Sequence, residues 1–327
     1  LSFTTVDSES INDAAFRYAT IYNPTAPIFE DTPTANQRFG GYFQRDLFDF
    51  FNPVALARQQ KFVGETKTAL VSYRAEFDIM PNLTLSAQYS QDRRNTLSGG
   101  FWSIQDYQVG FGSQGSAERN TFDRNQRIFE TTLRYEENIT DKLNMTLLGG
   151  AGIQYTTNQG FNARVRQYLF DLGWNNLGAG AIRLGNNTNV SSFANEDQLN
   201  SAFGRANFNY DNTFFLSATV RRDGSSRFLK NKWGDFGSVG AAWLVSKEPF
   251  MANVPLIKDL KLKASYGLIG EQGGIGLYPG YDLFQVQNLN SNISLSFVSK
   301  GNPDLTWEIS KQMQVGAEFK LGKFADV

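Results

Sequence analysis

The sequence has neither cysteine nor histidine among its 327 residues, and it has no long hydrophobic run. The chain therefore has no disulfide, no thiolate or imidazole metal ligand and no nucleophile activated by histidine. No segment approaches the roughly 18 to 20 apolar residues that a membrane-spanning helix needs. The 31 Lys and Arg nearly balance the 32 Asp and Glu, without the cationic clusters typical of nucleic-acid binding. These absences predict that the chain is not an enzyme, holds no metal or cofactor and binds no nucleic acid.

What the sequence does have is a regular alternation of apolar and polar side chains in segments of about ten residues. Because successive strand residues point to opposite sides, segment 213–222 has one apolar and one polar face. Its apolar side chains are those of Phe214, Leu216, Ala218 and Val220. Aromatic residues form 14% of the chain, as in the interfacial belts of membrane barrels, and a mean hydropathy of −0.38 suits strands with one lipid-facing side. The pattern predicts an all-β fold, a transmembrane antiparallel β-barrel in the cell outer membrane.

The alternation predicts nine strands joined by connections that are in turn short and long. The strands are residues 67–79, 83–91, 129–136, 143–155, 201–210, 213–222, 236–245, 260–269 and 308–321. Short turns are predicted near Pro81, Asp141 and Asp211, and long loops over 92–127, 157–198 and the segment before the last strand. Prolines and polar residues predict a long ordered loop for residues 1–60. Because outer-membrane barrels have short periplasmic turns and long extracellular loops, the short turns are expected in the periplasm.

Nine strands would leave two open sheet edges, whereas bacterial barrels of this kind have an even number of strands. Each unpaired backbone group in hydrocarbon costs several kcal/mol. We therefore expect residues 1–327 to be part of one transmembrane β-barrel domain in a longer polypeptide.

Aromatic residues of the predicted loops are the candidate substrate contacts. They are Trp102, Tyr107, Trp174 and Tyr281, accompanied by Phe101 and Tyr278. Exposed rings can stack on sugars or anchor a peptide, but long ordered loops also need small cores of their own, so loop packing is the alternative.

Charged residues on the polar strand faces are predicted to line a lumen, where most of them pair with one another. They are Arg74, Glu76, Asp78, Arg134, Arg205 and Arg221. The glycine-rich strings 149–152 and 178–180 could suggest a phosphate cradle, which requires a strand followed by a helix N-terminus. The first string continues a strand pattern and the second lies in a loop. We interpret the glycines of the first string as sites of close packing or bending.

Several motifs occur in a fixed order along most of the chain. They are YNPTAP at 22–27, RDGSSRF at 222–228, WGDFGS at 233–238, AWLVSKEPF at 242–250, LKLKASYG at 260–267, GEQG at 270–273 and GNPDLTWE at 301–308. In sequence and order these motifs resemble the SusC family of TonB-dependent transporters of the Bacteroidota.

The resemblance implies a 22-stranded barrel, an N-terminal plug, a TonB box that contacts the TonB–ExbB–ExbD energy-transducing system, and a SusD-like surface lipoprotein over the extracellular mouth. Residues 1–327 include neither the plug nor the TonB box. The implied function is import of a bulky nutrient, a glycan or a peptide. The alternative is a structural or scaffolding subunit of a larger outer-membrane export or assembly complex, with an outer-membrane enzyme as a third possibility.

Overall fold

The computed structural model describes residues 1–45, 47, 50–109, 114–181, 190–252, 254, 256–289, 292–321 and 325–326. The strands are β1 Ser2–Ser10, β2 Gln60–Met80, β3 Leu83–Trp102, β4 Ser116–Thr140, β5 Leu143–Arg166, β6 Val190–Tyr210, β7 Phe214–Ser225, β8 Trp233–Leu244, β9 Ile257–Glu271, β10 Leu283–Leu289, β11 Asn292–Ser299, β12 Glu308–Leu321 and β13 Ala325–Asp326. The helices are α1 Ala14–Ile21, α2 Pro33–Phe39 and α3 Pro53–Gln59, with single 3-10 turns at Leu177–Ala179, Val245–Lys247 and Pro249–Met251.

The described strands form one large antiparallel sheet and one separate hairpin. Eleven strands pair in the order β1-β2-β3-β4-β5-β6-β7-β8-β9-β12-β13, and β10 pairs only with β11. The large sheet is open, with β1 and β13 at its two edges. In the part of the chain that the structure describes, no helix has the length and hydropathy to cross a bilayer. The predicted all-β antiparallel architecture is confirmed.

The strand register gathers the alternating residues of neighbouring strands into common rows. One row contains Ala218, Val239, Tyr266 and Met313, and the next contains Leu216, Ala241, Ala264 and Val315. A row on the opposite side contains Thr219, Ser238, Gly267 and Gln312. The sheet thus has an apolar side and a polar side, because every strand follows the same two-residue period.

The strands divide into a tall wall and a low wall. In the tall wall, β2 to β6, each strand has 20 to 25 residues, whereas β7, β8, β9 and β12 of the low wall have 12 to 15. Residues 92–102 and 116–127 of the first predicted loop and residues 157–166 and 190–198 of the second are therefore strand, and the prediction was wrong there. In these extensions polar residues follow one another, as Arg93 and Arg94 do, so the alternation that marks a strand disappears.

The prediction of one long loop over residues 1–60 was also wrong in part. β1 pairs antiparallel with residues 62–70 of β2, and α1 to α3 follow it. The connection before β12 also contains strands, the β10–β11 hairpin. The three short turns near Pro81, Asp141 and Asp211 are confirmed, and at the third both Asp211 and Asn212 have φ of 50°. Two consecutive residues with positive φ reverse a chain tightly between antiparallel strands.

The glycine string 149–152 lies within β5, where neighbouring strands can pack closely against it. A Cβ at Gly150 would lie 2.6 Å from the ring of Phe203, which is its partner in β6. The packing interpretation is confirmed at Gly150, because the ring occupies the space that a side chain would need, whereas a Cβ at Gly149 would meet open space. The string 178–180 lies at the 3-10 turn Leu177–Ala179.

Candidate functional site

Two grooves lie on the polar side of the low wall. The first, nearer the short turns, has a volume of about 780 Å³. Its polar side chains include Asn144, Asn207, Asn209, Ser217, Ser265 and Gln314. The second, of about 650 Å³, lies nearer the long connections, and Phe236 and Trp307 are among its lining residues. Lys263 also lines the first groove, and Arg221, Asp223 and Glu271 line the second. Amides and hydroxyls both donate and accept hydrogen bonds, so the grooves suit a polar ligand.

The charged residues predicted on the polar strand faces are mostly paired. Arg74 bonds Glu76 at 2.5 Å and Arg221 bonds Asp223 at 2.8 Å. Arg134 and Glu136 form a third pair. The predicted mutual ion pairing is confirmed for these three arginines. The two other predicted residues have neutral partners: Arg205 Nε donates to Asn207 Oδ1 at 3.2 Å, and Asp78 accepts from Thr84 at 2.7 Å.

A loop layer, formed by the described residues within 11–59, 103–109 and 167–181, covers the long-loop end of the tall wall. Gln60 joins two of its segments, because its amide accepts from Asn12 at 2.6 Å and donates to Asp106 at 3.0 Å. Both Gln60 and Asp106 are buried. Asp171 accepts from the Ser103 hydroxyl at 2.6 Å and so ties in the third segment.

Asn52 organises residues 28–58 of this layer from a fully buried position. Its side-chain oxygen accepts from Val54 N at 3.0 Å and Ala55 N at 3.3 Å, which caps α3. Its amide nitrogen donates to the carbonyls of Ile28 at 2.8 Å and Phe43 at 3.1 Å. One asparagine thus satisfies four backbone groups that would otherwise be unpaired in the interior.

The structure uses Trp102 and Tyr107 in packing. Trp102 is buried on the polar side of β3, with its ring 5.2 Å from that of Phe62 and the Arg164 Cζ 4.7 Å from its centroid. The ring of Tyr107 contacts those of Phe39 and Phe51 at 5.5 and 5.9 Å. Trp102 thus packs against strand residues of the wall, and Tyr107 belongs to a small core within the loop layer.

Trp174 and Tyr281 lie away from these two residues. Trp174 covers Gly99 of β3, where an added Cβ would lie 2.1 Å from the indole, and Arg119 Cζ lies 5.3 Å from its ring. Gly99 is on the apolar side of the sheet, so Trp174 does not face the grooves. Tyr281 is half exposed beside the β10–β11 hairpin. The four predicted residues therefore do not form one site, and a substrate contact at any of them stays a prediction.

Phe101 and Tyr278 also contact their surroundings. The Phe101 ring lies 6.5 Å from that of Tyr168, which is buried in the loop layer, and burial raises the pKa of the Tyr168 phenol. Tyr278 Oη accepts from Glu196 N at 3.5 Å.

The structure shows two exposed rings that the sequence interpretation missed. Phe122 of β4 and Phe193 of β6 lie on the polar side of the tall wall, 6.4 Å apart, and are 38% and 48% exposed. The Phe193 ring covers Gly160 of β5. An adjacent row contains Ser98, Asn120 and Asn162, and Asn162 donates to Asn120. Exposed aromatics beside amides form a surface that a polar ligand with apolar faces can bind.

A hairpin segment, formed by the described residues within 272–307, covers the low wall. Its base packs through Trp307 against Phe228 and Phe236, with ring distances of 5.1 and 5.4 Å. Arg227 donates to the carbonyls of Gln272 and Ile275, both at 3.3 Å. Beyond this base, β10 and β11 expose one apolar face, formed by Phe284, Val286, Ile293, Leu295 and Phe297.

Sequence comparison places this sheet and its loops in a known family. The family model described as "TonB dependent receptor-like, beta-barrel" matches residues 7–327. The chain belongs to this family. It is therefore part of an outer-membrane β-barrel, and the resemblance to SusC-type receptors is confirmed. The matched proteins are receptors and transporters rather than enzymes.

Individual relatives agree with the family. TonB-dependent receptor P3 of Formosa agariphila is 30% identical over 84% of this chain, which corresponds to 27% of the relative. TonB-dependent receptor SusC of Bacteroides thetaiotaomicron is 32% identical over 39% of this chain and 14% of its own length. The RagAB peptide transporter structure superposes with a TM-score of 0.76 at 26% identity, over 86% of this chain and 31% of that one. The chain thus spans less than a third of each relative.

Proposed function

We propose that the protein containing this chain imports a bulky polar nutrient, a glycan or a peptide, through a TonB-dependent outer-membrane barrel. The observation that carries this proposal is the polar side of the sheet, where amides, hydroxyls and a few charged side chains line two grooves and exposed rings lie near the rim. Such a surface binds a ligand through many weak hydrogen bonds and stacking contacts, which lets the ligand move on. SusC and the RagAB peptide transporter among the relatives support this function.

The test measures uptake by whole cells of a nutrient whose import requires this receptor. Uptake should stop when TonB is deleted, because movement through a plugged barrel needs the energy-transducing partner. A strain that lacks the receptor is the control for other routes. Undiminished receptor-dependent uptake without TonB would contradict the proposal.

The exposed rings supply a second, local test in the full-length receptor. The double substitution Phe122→Ala and Phe193→Ala should weaken nutrient binding about tenfold, because ring contacts contribute roughly 1 to 2 kcal/mol. Phe161→Ala is a matched control, since Phe161 is similarly exposed in β5 but lies on the opposite side of the sheet from Phe193. Binding is measured by calorimetry. Equal binding by both variants and the wild type would show that these rings do not contact the nutrient.

A SusD-like surface lipoprotein is the proposed partner at the long-loop end. The apolar face of the β10–β11 hairpin supports a protein contact there, because exposed apolar patches mark interaction surfaces. Purification of the receptor with only this lipoprotein in equal amount would favour transport. Stoichiometric recovery of export or assembly components would favour the scaffolding alternative.

The sidedness of this arrangement can be tested by labelling, since residues 1–327 contain no cysteine. Cysteine introduced at Asn176 in the loop layer should react with an impermeant maleimide on intact cells. Cysteine at Asp211, in a turn between β6 and β7, should react only after the outer membrane is opened. Labelling of Asp211→Cys on intact cells would reverse the proposed orientation.

A further inference from the structure

The low wall has an apolar trough on the side opposite the polar grooves. Its volume is about 530 Å³. Ala241 of β8 and Ala264 of β9 pair directly and form its floor. Larger side chains border this floor, among them Phe208, Phe214, Leu216, Trp243, Leu262 and Val315. Two adjacent alanines between large side chains leave a depression in this part of the apolar side.

One border of the trough has the chemistry of a membrane interface. The rings of Phe214 and Trp243 stack at 5.9 Å with an interplanar angle of 13°. The indole nitrogen of Trp243 donates to Glu248 Oε1 at 3.1 Å, outside the strand. Aromatic side chains with one polar edge mark the level at which hydrocarbon meets headgroups.

A pair of opposite charges lies next to this border. Lys142 Nζ bonds Asp211 Oδ2 at 3.0 Å, and Asp211 follows Tyr210, another residue of the trough. Both side chains are exposed. The pair offers one cation and one anion, which complements a headgroup that carries a phosphate and an ammonium.

The trough is continuous with the apolar rows of the barrel, and the barrel lies in the outer membrane, so lipid is what covers this side. We propose that the trough is a phospholipid site, with one acyl chain on Ala241 and Ala264 and a zwitterionic headgroup at Lys142 and Asp211. A chain seated on the alanines contacts the border residues as well as the floor, whereas lipid on the surrounding surface contacts one side only. The lipid belongs to the leaflet on the short-turn side.

The test uses the full-length receptor, washed extensively in detergent, with bound phospholipid identified by native mass spectrometry and measured by phosphorus assay. Ala241→Phe and Ala264→Phe fill the floor and should each remove most of the retained lipid. Ala87→Phe adds the same side chain to the apolar side of β3 in the tall wall and should retain the wild-type amount. Retention of wild-type lipid by both floor variants would overturn the proposal.

Two further measurements keep the outcome interpretable. Heat-dependent migration on gels shows whether each variant barrel is folded, and only folded variants are compared. The double substitution Lys142→Gln and Asp211→Asn should keep acyl binding but abolish the preference for phosphatidylethanolamine over phosphatidylglycerol in an exchange assay. An unchanged preference would contradict the headgroup assignment. The absence of bound lipid from the washed wild-type receptor would contradict the proposed site as a whole.

Discussion

The tall wall and the low wall use their long connections in opposite ways. Over the tall wall, loop segments 11–59, 103–109 and 167–181 bury amides and rings against one another, with Gln60, Asp106 and Asn52 inside. Over the low wall, residues 272–307 are anchored at a base around Trp307, and the hairpin beyond it exposes its apolar face. The first connection is internally satisfied, and the second has apolar surface without a partner among the described residues. The difference indicates that the loop layer serves as fixed structure and the hairpin as a contact surface.

The largest effect is expected where the loop layer depends on a single buried residue. Asn52→Ala should lower the free energy of local unfolding of residues 28–58 by about 3 kcal/mol, because it removes a helix cap and unpairs buried carbonyls. Amide hydrogen exchange in this segment should accelerate more than about 100-fold, while β2 to β5 stay protected. Asn36→Ala, which removes an exposed 2.9 Å bond to Asp31, is the control and should change little.

A pair of tyrosines compares the two regions directly. Tyr107→Ala should destabilise the loop layer by about 2 kcal/mol, because its ring fills the space between Phe39 and Phe51. Tyr281→Ala should change the stability of the hairpin by less than about 0.5 kcal/mol, because its side chain is half exposed. Hydrogen exchange of both segments measures the two effects. Similar losses at the two positions would show that the hairpin is as tightly packed as the loop layer.

The exposed face of the hairpin can be altered without touching its base. Val286→Ser together with Leu295→Ser, which are cross-strand partners, should leave the stability of the isolated receptor within about 0.5 kcal/mol. The same variant should weaken the proposed lipoprotein complex by roughly tenfold or more, because interface contacts of this size contribute above about 1 kcal/mol. A large loss of receptor stability, seen by thermal unfolding, would mean that another part of the same protein covers this face.

The smallest effect concerns pH at the base of the hairpin segment. The Glu271 carboxylate accepts from Gly273 N and from Gln272 N at 2.8 Å, which holds its pKa below the usual range. A lowered folded-state pKa adds stability above the unfolded pKa, and this stability is lost as pH falls through the folded pKa. Acidification should therefore loosen residues 272–275 in the wild type. Glu271→Gln should remove this pH dependence in hydrogen-exchange rates corrected for intrinsic chemistry.

The strand segments within the membrane could be predicted well from the sequence, because only there does one side of the sheet face lipid and the other face water. The segment 213–222 alternates clearly, and the structure places it in β7 with little change. The upper part of β4 has water-compatible residues on both sides, as Asp123 and Arg124 show, so its strand pairing leaves no trace in local hydropathy. β1 also has water-compatible residues on both sides. Its pairing depends on β2, which is more than fifty residues away in sequence.

The candidate site was harder to predict for a related reason. Trp102 ends β3 and Trp174 lies in a loop, and one faces the polar side while the other covers a glycine on the opposite side. The strand register decides the side of Trp102, whereas the fold of the loop after β5 decides where Trp174 lies, and neither can be read from local sequence. Phe122 and Phe193 were missed because their segments did not look like strands, so neither ring could be assigned to a side.

The length of the tall wall has a consequence for where this receptor works. With 25 residues, β4 is about 80 Å long, and at a tilt of ~40° it rises about 60 Å. The hydrocarbon layer is only ~30 Å thick. The upper half of the tall wall is therefore a rigid collar that stands above the lipid. Phe122 and Phe193 lie in this collar. The lower part of each tall strand thus anchors the barrel in the membrane, and the upper part sets how far above the lipid the exposed rings lie. Either part can change in evolution while the other is kept.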